Sequence, residues 1–334
     1  MSPVEIGLGL QSNRSREEYG RIAVLAEARG IDVLSVFADL MFQPPLPALL
    51  EMARVTERVR VGAACWNPYS MHPYEIAGQL AALDSASDGR AYLGLARGTW
   101  LGDIGIEQAR PLAYLRETVA FVYRLLAGDG AGFDGEVFQL ARNARLRYEA
   151  HRPDPPLLIG AWGPRTLAYA GRVAHEIKVG GTANPAVVSV MRDRLAPGET
   201  AAGREPGSVG IVVGAVTVVD TDGAAARRLA RREVAMYLGV VGDLDPTIDV
   251  PPGLLAEVKT LVAAGDHEGA GALIPDELLD VFAFSGTPEQ VAAQAQRLID
   301  AGVSRVEFGT PQGLDSERGI ELIGTRVLPA LDRG

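Results

Sequence analysis

The sequence predicts an α/β fold, a (β/α)8 barrel of the TIM type with insertions. Short apolar runs recur eight times along the 334 residues, and amphipathic helical stretches separate them. The runs are apolar nearly throughout instead of alternating, which is typical of parallel strands buried on both faces. A doubly wound sheet is the alternative for the same alternation of strands and helices.

The eight apolar runs are the predicted strands, and β-branched residues and glycines are frequent in them. In chain order they cover residues 6–10, 33–37, 60–64, 91–96, 156–161, 176–181, 211–219 and 305–310. Strands of five to nine residues separated by helices are what a barrel of this type requires.

Helix boundaries are marked by residues with known preferences for helix ends. Helices are predicted over 16–29, 46–58, 74–87, 112–126 and 288–301. Pro45 and Pro73 suit the first turn of a helix, Thr287 is a suitable N-cap, and Gly128 and Gly302 mark carboxyl ends.

Two stretches interrupt the alternation of strands and helices. Residues 132–150 show the alternation of polar and apolar residues that is typical of a β-hairpin. Residues 239–275 contain Asp-Pro and Pro-Pro dipeptides, which are typical of loops and insertions. No internal repeat or low-complexity linker separates the chain into parts. We therefore predict one domain over residues 1–334, with 239–275 as an insertion.

Composition and charge exclude several classes of function. A formal net charge of -10 argues against a nucleic-acid-binding face, which needs clustered basic residues. No apolar run approaches the ~20 residues that span a bilayer, and the amino terminus lacks the pattern of a secretion signal. One cysteine excludes an internal disulfide framework. We expect a cytoplasmic protein that binds neither nucleic acid nor membrane.

The stretch GAACWNPYSMHP, at residues 62–73, raises the question of nucleophilic or metal chemistry. Cys65 and His72 could form a thiol with its base. A free cysteine more often behaves as a small buried apolar residue, and that interpretation is favoured. The four histidines show no paired spacing typical of metal ligands, so we predict no metal site. The strand ends are rich in glycine, aromatic and amide groups, which suits a planar cofactor.

The stretch AWGPRTLAYAG, at residues 161–171, places a glycine and a proline between a strand and a helix. Helix amides that face the end of a strand form an anion site in many α/β proteins. An ordinary strand-to-helix turn has the same sequence pattern, so both interpretations stay open.

Several motifs carry a resemblance to a known family. RVGAACWNPYSMHP (60–73) and LAALDSASDGRAYLGLARG (80–98) resemble the third and fourth strands of the bacterial luciferase-like superfamily. PPLLIGAWGPRTLAYAGRVA (155–174) and the stretch over 284–313 also match. The branch that the chain most resembles is that of the F420-dependent reductases related to methylenetetrahydromethanopterin reductase. The matches cover most of the chain except 239–275.

The resemblance implies a barrel, usually a homodimer, with coenzyme F420 at the carboxyl ends of its strands; other branches use FMN there. It places a non-proline cis peptide at Ala64–Cys65. The proton for the reaction would come from solvent, Asp39, Tyr69 or His72, and Asp39 ranks first among these residues. The implied cofactor-binding residues are Asp39, Ala64, Cys65, Asn67, Gly98, Thr99, Trp162, Gly163, Gly180, Gly181 and Thr182.

Two departures from the family pattern bear on the reaction. Sugar-phosphate dehydrogenases of the superfamily carry a histidine where this chain has Leu40 and a glutamate where it has Thr99. We therefore predict a reductase that delivers hydride to an activated C=C or C=N bond of a small molecule or modified peptide. The alternatives are an FMN-dependent monooxygenase and a non-catalytic F420-binding protein. Phe42 and Trp100 are candidates for an apolar substrate wall, or for core or dimer contacts.

Overall fold

Parallel strands and surrounding helices make up most of the chain. The computed structural model describes residues 3–334, the side chain of Pro252 apart. The strands are β1 (Glu5–Leu10), β2 (Val33–Val36), β3 (Arg60–Ala63), β4 (Leu93–Ala96), β5 (Phe133–Asp134), β6 (Gln139–Leu140), β7 (Leu157–Gly160), β8 (Glu176–Gly180), β9 (Gly210–Val219), β10 (Ala283–Gly286) and β11 (Arg305–Gln312). The helices are α1 (Arg16–Ala28), α2 (Pro45–Val55), α3 (Pro73–Ala86), α4 (Pro111–Ala127), α5 (Pro164–Val173), α6 (Val187–Ala201), α7 (Gly223–Val241), α8 (Pro252–Ala263), α9 (His267–Ala272), α10 (Asp276–Phe282), α11 (Pro288–Asp300) and α12 (Ser316–Leu322).

Eight parallel strands close into a barrel. Their order around the sheet is β3-β2-β1-β11-β9-β8-β7-β4. Bridges between Val61 and Ala91 and between Trp66 and Leu95 join β3 to β4 and close the ring. The predicted (β/α)8 barrel is therefore confirmed, and the doubly wound alternative is not what the chain forms. Each of the eight predicted strands corresponds to a barrel strand, with ends shifted by up to two residues.

Several helices begin at capping side chains or prolines, and α4 ends at a glycine. Ser15 and Thr287 each form a capping box with the residue three positions on, and these open α1 and α11. Pro73 occupies the first turn of α3, and Gly128 ends α4 with a φ of 63°. None of the described helices combines the length and the hydropathy that crossing a bilayer requires.

A ninth parallel strand, β10, was not predicted from the sequence. It pairs with residues Val216 to Val219 of β9, beyond the point where β8 stops pairing at Gly214. β10 has only four residues, AFSG, and follows α10 without a turn. It lacks the β-branched run by which the other strands are recognised.

The two interruptions pack against the barrel as separate additions. Residues 132–150 contain the β5–β6 hairpin, and the carboxylate of Glu117 on α4 accepts bonds from the amides of residues 136–138. Residues 239–275 contain α8 and α9, which contribute to a second apolar cluster together with α7 and α10. Helix α7 continues to Val241, two residues past the predicted start of the insertion at Gly239.

The barrel interior contains charged side chains, although its strands are predominantly apolar. Arg305, Glu307 and Lys178 are all buried inside the barrel. Glycines make room for the large interior side chains: a Cβ on Gly62 would lie 2.5 Å from the ring of Tyr92. The sequence pattern predicted buried strands but did not distinguish a charged interior face from an apolar one.

Removing Arg152 is expected to destabilise the fold strongly. Its guanidinium contacts Asp84 at 3.0 and 2.8 Å and donates to the carbonyl of Ala91 at 2.6 Å. The Asp84 side chain is only 2% exposed, so Arg152→Met leaves a buried carboxylate without its partner. The expected loss in free energy of unfolding is about 3–5 kcal/mol, measured by urea denaturation.

The matched control is Arg21→Met, because Arg21 forms an ion pair with Glu317 at the surface. The two side chains are 58% and 45% exposed, so the expected change is within about 1 kcal/mol. Equal losses in free energy of unfolding for the two variants would contradict the role of Arg152 as the partner of a buried carboxylate.

Candidate functional site

A cavity of about 730 Å³ lies at the carboxyl ends of the barrel strands. This is the end at which barrels of this class carry their chemistry. The volume is within the range of small-molecule and cofactor sites. Ten of the predicted site residues line the cavity: Asp39, Ala64, Cys65, Tyr69, Thr99, Trp162, and the glycines Gly98, Gly163, Gly180 and Gly181.

The segment after β3 forms one wall of the cavity. The Ala64–Cys65 peptide bond is cis, at the position that the resemblance implies. The chain then pairs with β4 through the amide of Trp66, which donates to the carbonyl of Gly94 at 3.0 Å. Asn67 is buried, and its Oδ1 accepts from the amides of Tyr69 and Ser70 at 3.1 and 2.9 Å. Asn67 therefore supports the turn and does not line the cavity.

Cys65 lines the cavity as an unreactive thiol. Burial raises the pKa of the Cys65 thiol to about 12, and the nearby carboxylates of Glu307 and Asp39 act in the same direction. A thiol with so high a pKa is almost entirely protonated near neutral pH and is a poor nucleophile. The interpretation of Cys65 as a packing residue agrees with this environment.

Four glycines on the cavity wall fall into two groups. Gly98 and Gly181 both have a φ of 84°, and a Cβ there would lie 3.0 Å from the Asn67 side chain and 2.5 Å from that of Val241. The backbone requires glycine at these two positions.

Gly163 and Gly180 are different, because neither conformation nor protein packing requires a glycine there. A Cβ on Gly163 would meet nothing within 4 Å, and one on Gly180 would meet only Lys178 Cε at 3.9 Å. Gly163 has a φ of -73°, which any residue adopts, so the backbone conformation does not require glycine there. Both positions leave open space on the cavity wall that a bound ring or phosphate could fill.

Asp39 follows β2 and lines the cavity. Burial raises the pKa of its carboxyl group, and a hydrogen bond from Gln11 and the positive charge of Lys178 oppose that shift. The Nε2 atom of Gln11 lies 3.3 Å from Asp39 Oδ2. A carboxyl group with a raised pKa in a cavity is a candidate proton donor.

Aromatic side chains narrow the cavity on two sides. Tyr69 stacks on Tyr114 with ring centroids 4.3 Å apart, and its hydroxyl donates to the carbonyl of Ala109 at 2.7 Å. Trp100 contacts Tyr237 across a centroid distance of 6.0 Å, and both line the cavity. Phe42 is 44% exposed and is not among the lining residues, so of the two predicted wall residues the structure places only Trp100 at the cavity.

His72 and Thr182 have local structural contacts instead of contacts with the cavity. The Nδ1 atom of His72 accepts from the amide of Tyr74 at 3.1 Å and caps α3, and its ring lies edge-on to Phe121 and Phe138. Thr182 is fully buried, and its hydroxyl accepts from the amide of Asn184 at 3.1 Å. Neither residue is among those that line the cavity.

The structure adds two charged residues that sequence analysis did not single out. Lys178 on β8 and Glu307 on β11 form an ion pair at the floor of the cavity. A sequence signal was available for Lys178, which is one of only two lysines and interrupts an apolar strand. Among the residues that the structure describes, no group of three or more histidine, cysteine, aspartate or glutamate side chains is arranged to hold a metal ion.

The chain is similar to proteins of known family over nearly its full length. The family model described as luciferase-like monooxygenase matches residues 1–305. The 5,10-methylenetetrahydromethanopterin reductase of Archaeoglobus fulgidus is 30% identical over 317 residues, which cover 92% of this chain and 93% of that protein. The F420-dependent glucose-6-phosphate dehydrogenase of Nakamurella multipartita is 27% identical, over 99% of this chain and 98% of that protein.

A solved structure has the same fold. The coenzyme F420-dependent tetrahydromethanopterin reductase of Methanopyrus kandleri matches with a TM-score of 0.88 at 23% identity, over 99% of this chain and 100% of that chain. The resemblance inferred from the motifs at 60–98 and 155–174 is confirmed by the family model and by these relatives. The chain belongs to the luciferase-like monooxygenase family.

Proposed function

We propose that the protein is a coenzyme F420-dependent reductase that adds hydride to an activated C=C or C=N bond of a small molecule or modified peptide. The observation that supports this best is the pair of open glycine positions, Gly163 and Gly180, on a cavity with aromatic walls. The relatives named as F420-dependent enzymes make a deazaflavin the ligand to test first.

The residues present fit such a cofactor. Gly163 and Gly180 leave the space that a flat ring and its side chain need, and no protein atom requires glycine there. Gly98, Thr99 and Trp162 would hold the cofactor together with these glycines, and Ala64 and Cys65 would pack against its ring. When bound in its reduced form, coenzyme F420 supplies a hydride ion.

The residues of the chain would align the substrate, exclude water and supply a proton. Asp39 is the cavity residue best suited to hold that proton, because its pKa is raised. Tyr69 is less suited, because its hydroxyl already donates to Ala109. No histidine is found among the described residues that line the cavity, and the one lining glutamate is paired with Lys178. Of the lining carboxyl groups that the structure describes, Asp39 is therefore the one that is not in an ion pair.

Single-turnover kinetics test the proposed function. The protein is mixed with reduced coenzyme F420 and a panel of enones, imines and dehydroalanyl peptides, and the return of the oxidised deazaflavin absorbance is followed. Oxidation that depends on the acceptor supports a reductase. Reduction of F420 by alcohols would support a dehydrogenase instead, and binding without turnover across the panel would support a non-catalytic F420-binding protein.

His72 is expected to be a helix cap with no part in proton transfer. His72→Ala should lower the free energy of unfolding by about 1 kcal/mol, and His72→Asn, which restores a capping side chain, should recover most of that loss. Both variants should keep the single-turnover rate of the wild type. A large fall in rate for His72→Asn, with the fold intact, would return His72 to the list of proton donors.

A homodimer remains a proposal that the resemblance supports. Light scattering on the purified protein distinguishes a dimer from a monomer.

A further inference from the structure

The ion pair on the cavity floor is buried but borders the cavity. The Lys178 and Glu307 side chains are 9% and 1% exposed, and the Lys178 ammonium lies 4.8 Å from the centre of the Phe37 ring. Ser35 donates to Glu307 Oε2 at 2.8 Å, and the Tyr92 hydroxyl lies 2.8 Å from Ser35 Oγ. Glu307 is thereby held in place from two sides.

Stability alone does not account for this pair. Removing two charges from water is costly, and apolar residues of similar volume are often at least as stabilising as a buried ion pair. The neighbouring interior positions show that the barrel tolerates apolar residues, because Val33, Val212 and Leu158 pack around Tyr92. Buried charged groups with perturbed pKa values are found most often at functional sites.

Lys178 and Glu307 line the same cavity as Asp39 and Cys65. Asp39 is faced by Gln11 after β1, Cys65 after β3, Lys178 on β8 and Tyr237 on α7. The Lys178 charge lowers the pKa of both Asp39 and Cys65, while Glu307 raises that of Cys65. The two members of the pair therefore shift the pKa of Cys65 in opposite directions.

We propose that Lys178, held by Glu307, is a positioning residue that acts through Asp39: its positive charge stabilises the carboxylate that forms when Asp39 gives its proton to the substrate. This inference rests on the proposed function. The hydride, with its two electrons, would be supplied by reduced coenzyme F420 and would add to one atom of the substrate C=C or C=N bond, so that the π electron pair moves to the other atom. Asp39 would give its proton to that second atom.

Cys65 allows a test that needs neither cofactor nor turnover. Because it is the only cysteine, intact mass spectrometry gives its rate of alkylation by iodoacetamide without ambiguity. The rate at one alkaline pH follows the thiolate fraction. We expect Lys178→Met to slow the reaction about three- to tenfold and Glu307→Gln to accelerate it by a similar factor. Equal rates in both variants and the wild type would overturn the proposal.

Three controls separate charge from damage to the fold. Lys178→Arg keeps the charge and should keep a rate close to that of the wild type. Lys259→Met removes the only other lysine, which is half-exposed on α8, and should change nothing. The double variant Lys178→Met with Glu307→Gln removes both charges and should return the rate toward that of the wild type, even where a single variant folds poorly.

The pH dependence of single turnover tests the link to Asp39. Asp39 must be protonated to donate, so the rate falls as the pH rises through its pKa. Lys178→Met removes the charge that lowers that pKa and should move the fall to higher pH, whereas Lys178→Arg should leave it in place. An unchanged pH dependence in Lys178→Met would overturn the role of Lys178. If no acceptor oxidises reduced F420 in the presence of the wild type, the proposed function fails. The alkylation rates of Cys65 still show whether Lys178 and Glu307 shift the pKa of a neighbouring group.

Discussion

Gly180→Val is expected to weaken binding of coenzyme F420 by about thirtyfold or more, which corresponds to about 2 kcal/mol. Gly180 lies at the end of β8 on the cavity wall, and an added Cβ would have only Lys178 Cε within 4 Å, at 3.9 Å. The two methyl groups would therefore occupy space that the cofactor needs. Fluorescence titration of the purified variant with F420 measures the loss.

The fold itself should tolerate this change. Valine is well suited to strands, so the free energy of unfolding should change by less than about 1 kcal/mol. Gly253→Val is the matched control, because Gly253 lies on α8, outside the cavity, and a Cβ there meets nothing within 4 Å. That variant should bind F420 as the wild type does. Unchanged affinity in Gly180→Val would mean that the cofactor does not use this wall.

Asp39→Asn should slow hydride transfer about a hundredfold or more, because general acid catalysis contributes on that order. Asparagine has nearly the same shape and can accept the hydrogen bond from Gln11, so binding of F420 should change little. The variant should also lose the fall in rate at high pH that the wild type shows, since no carboxyl group remains to titrate. Single-turnover rates over a range of pH measure both effects.

Asp103→Asn is the matched control for this variant. Asp103 is exposed and is not among the residues that line the cavity, so its loss should leave the rate unchanged. A wild-type rate in Asp39→Asn would show that the proton comes from another group or from solvent.

Much of the architecture could be predicted because strands and helices leave local signals. The barrel strands were recognisable as apolar runs, and Pro45, Pro73 and Thr287 marked the starts of helices within one residue. The short strand β10 has no such signal. β10 pairs with β9 beyond the point where β8 ends at Gly180, and this is a tertiary contact that no local sequence pattern predicts.

The site was predictable by segment more reliably than by side chain. Motifs placed the right loops at the mouth of the barrel, because strand ends of a parallel barrel converge. They did not show that Asn67 and His72 turn toward their own backbone, since these contacts depend on side-chain direction. The pairing of Lys178 with Glu307 could not be predicted for a related reason: Lys178 stands out in its apolar strand, but its partner lies 129 residues away in the sequence.

Parallel titrations with coenzyme F420 and FMN test the central claim, that this cavity is a deazaflavin site, most directly. Absorbance and fluorescence are recorded for the wild type and for Gly180→Val under the same conditions. The account predicts saturable binding of F420 by the wild type, much weaker binding by Gly180→Val, and little binding of FMN. Tight binding of FMN with no binding of F420 would contradict it and would favour a flavin-dependent monooxygenase.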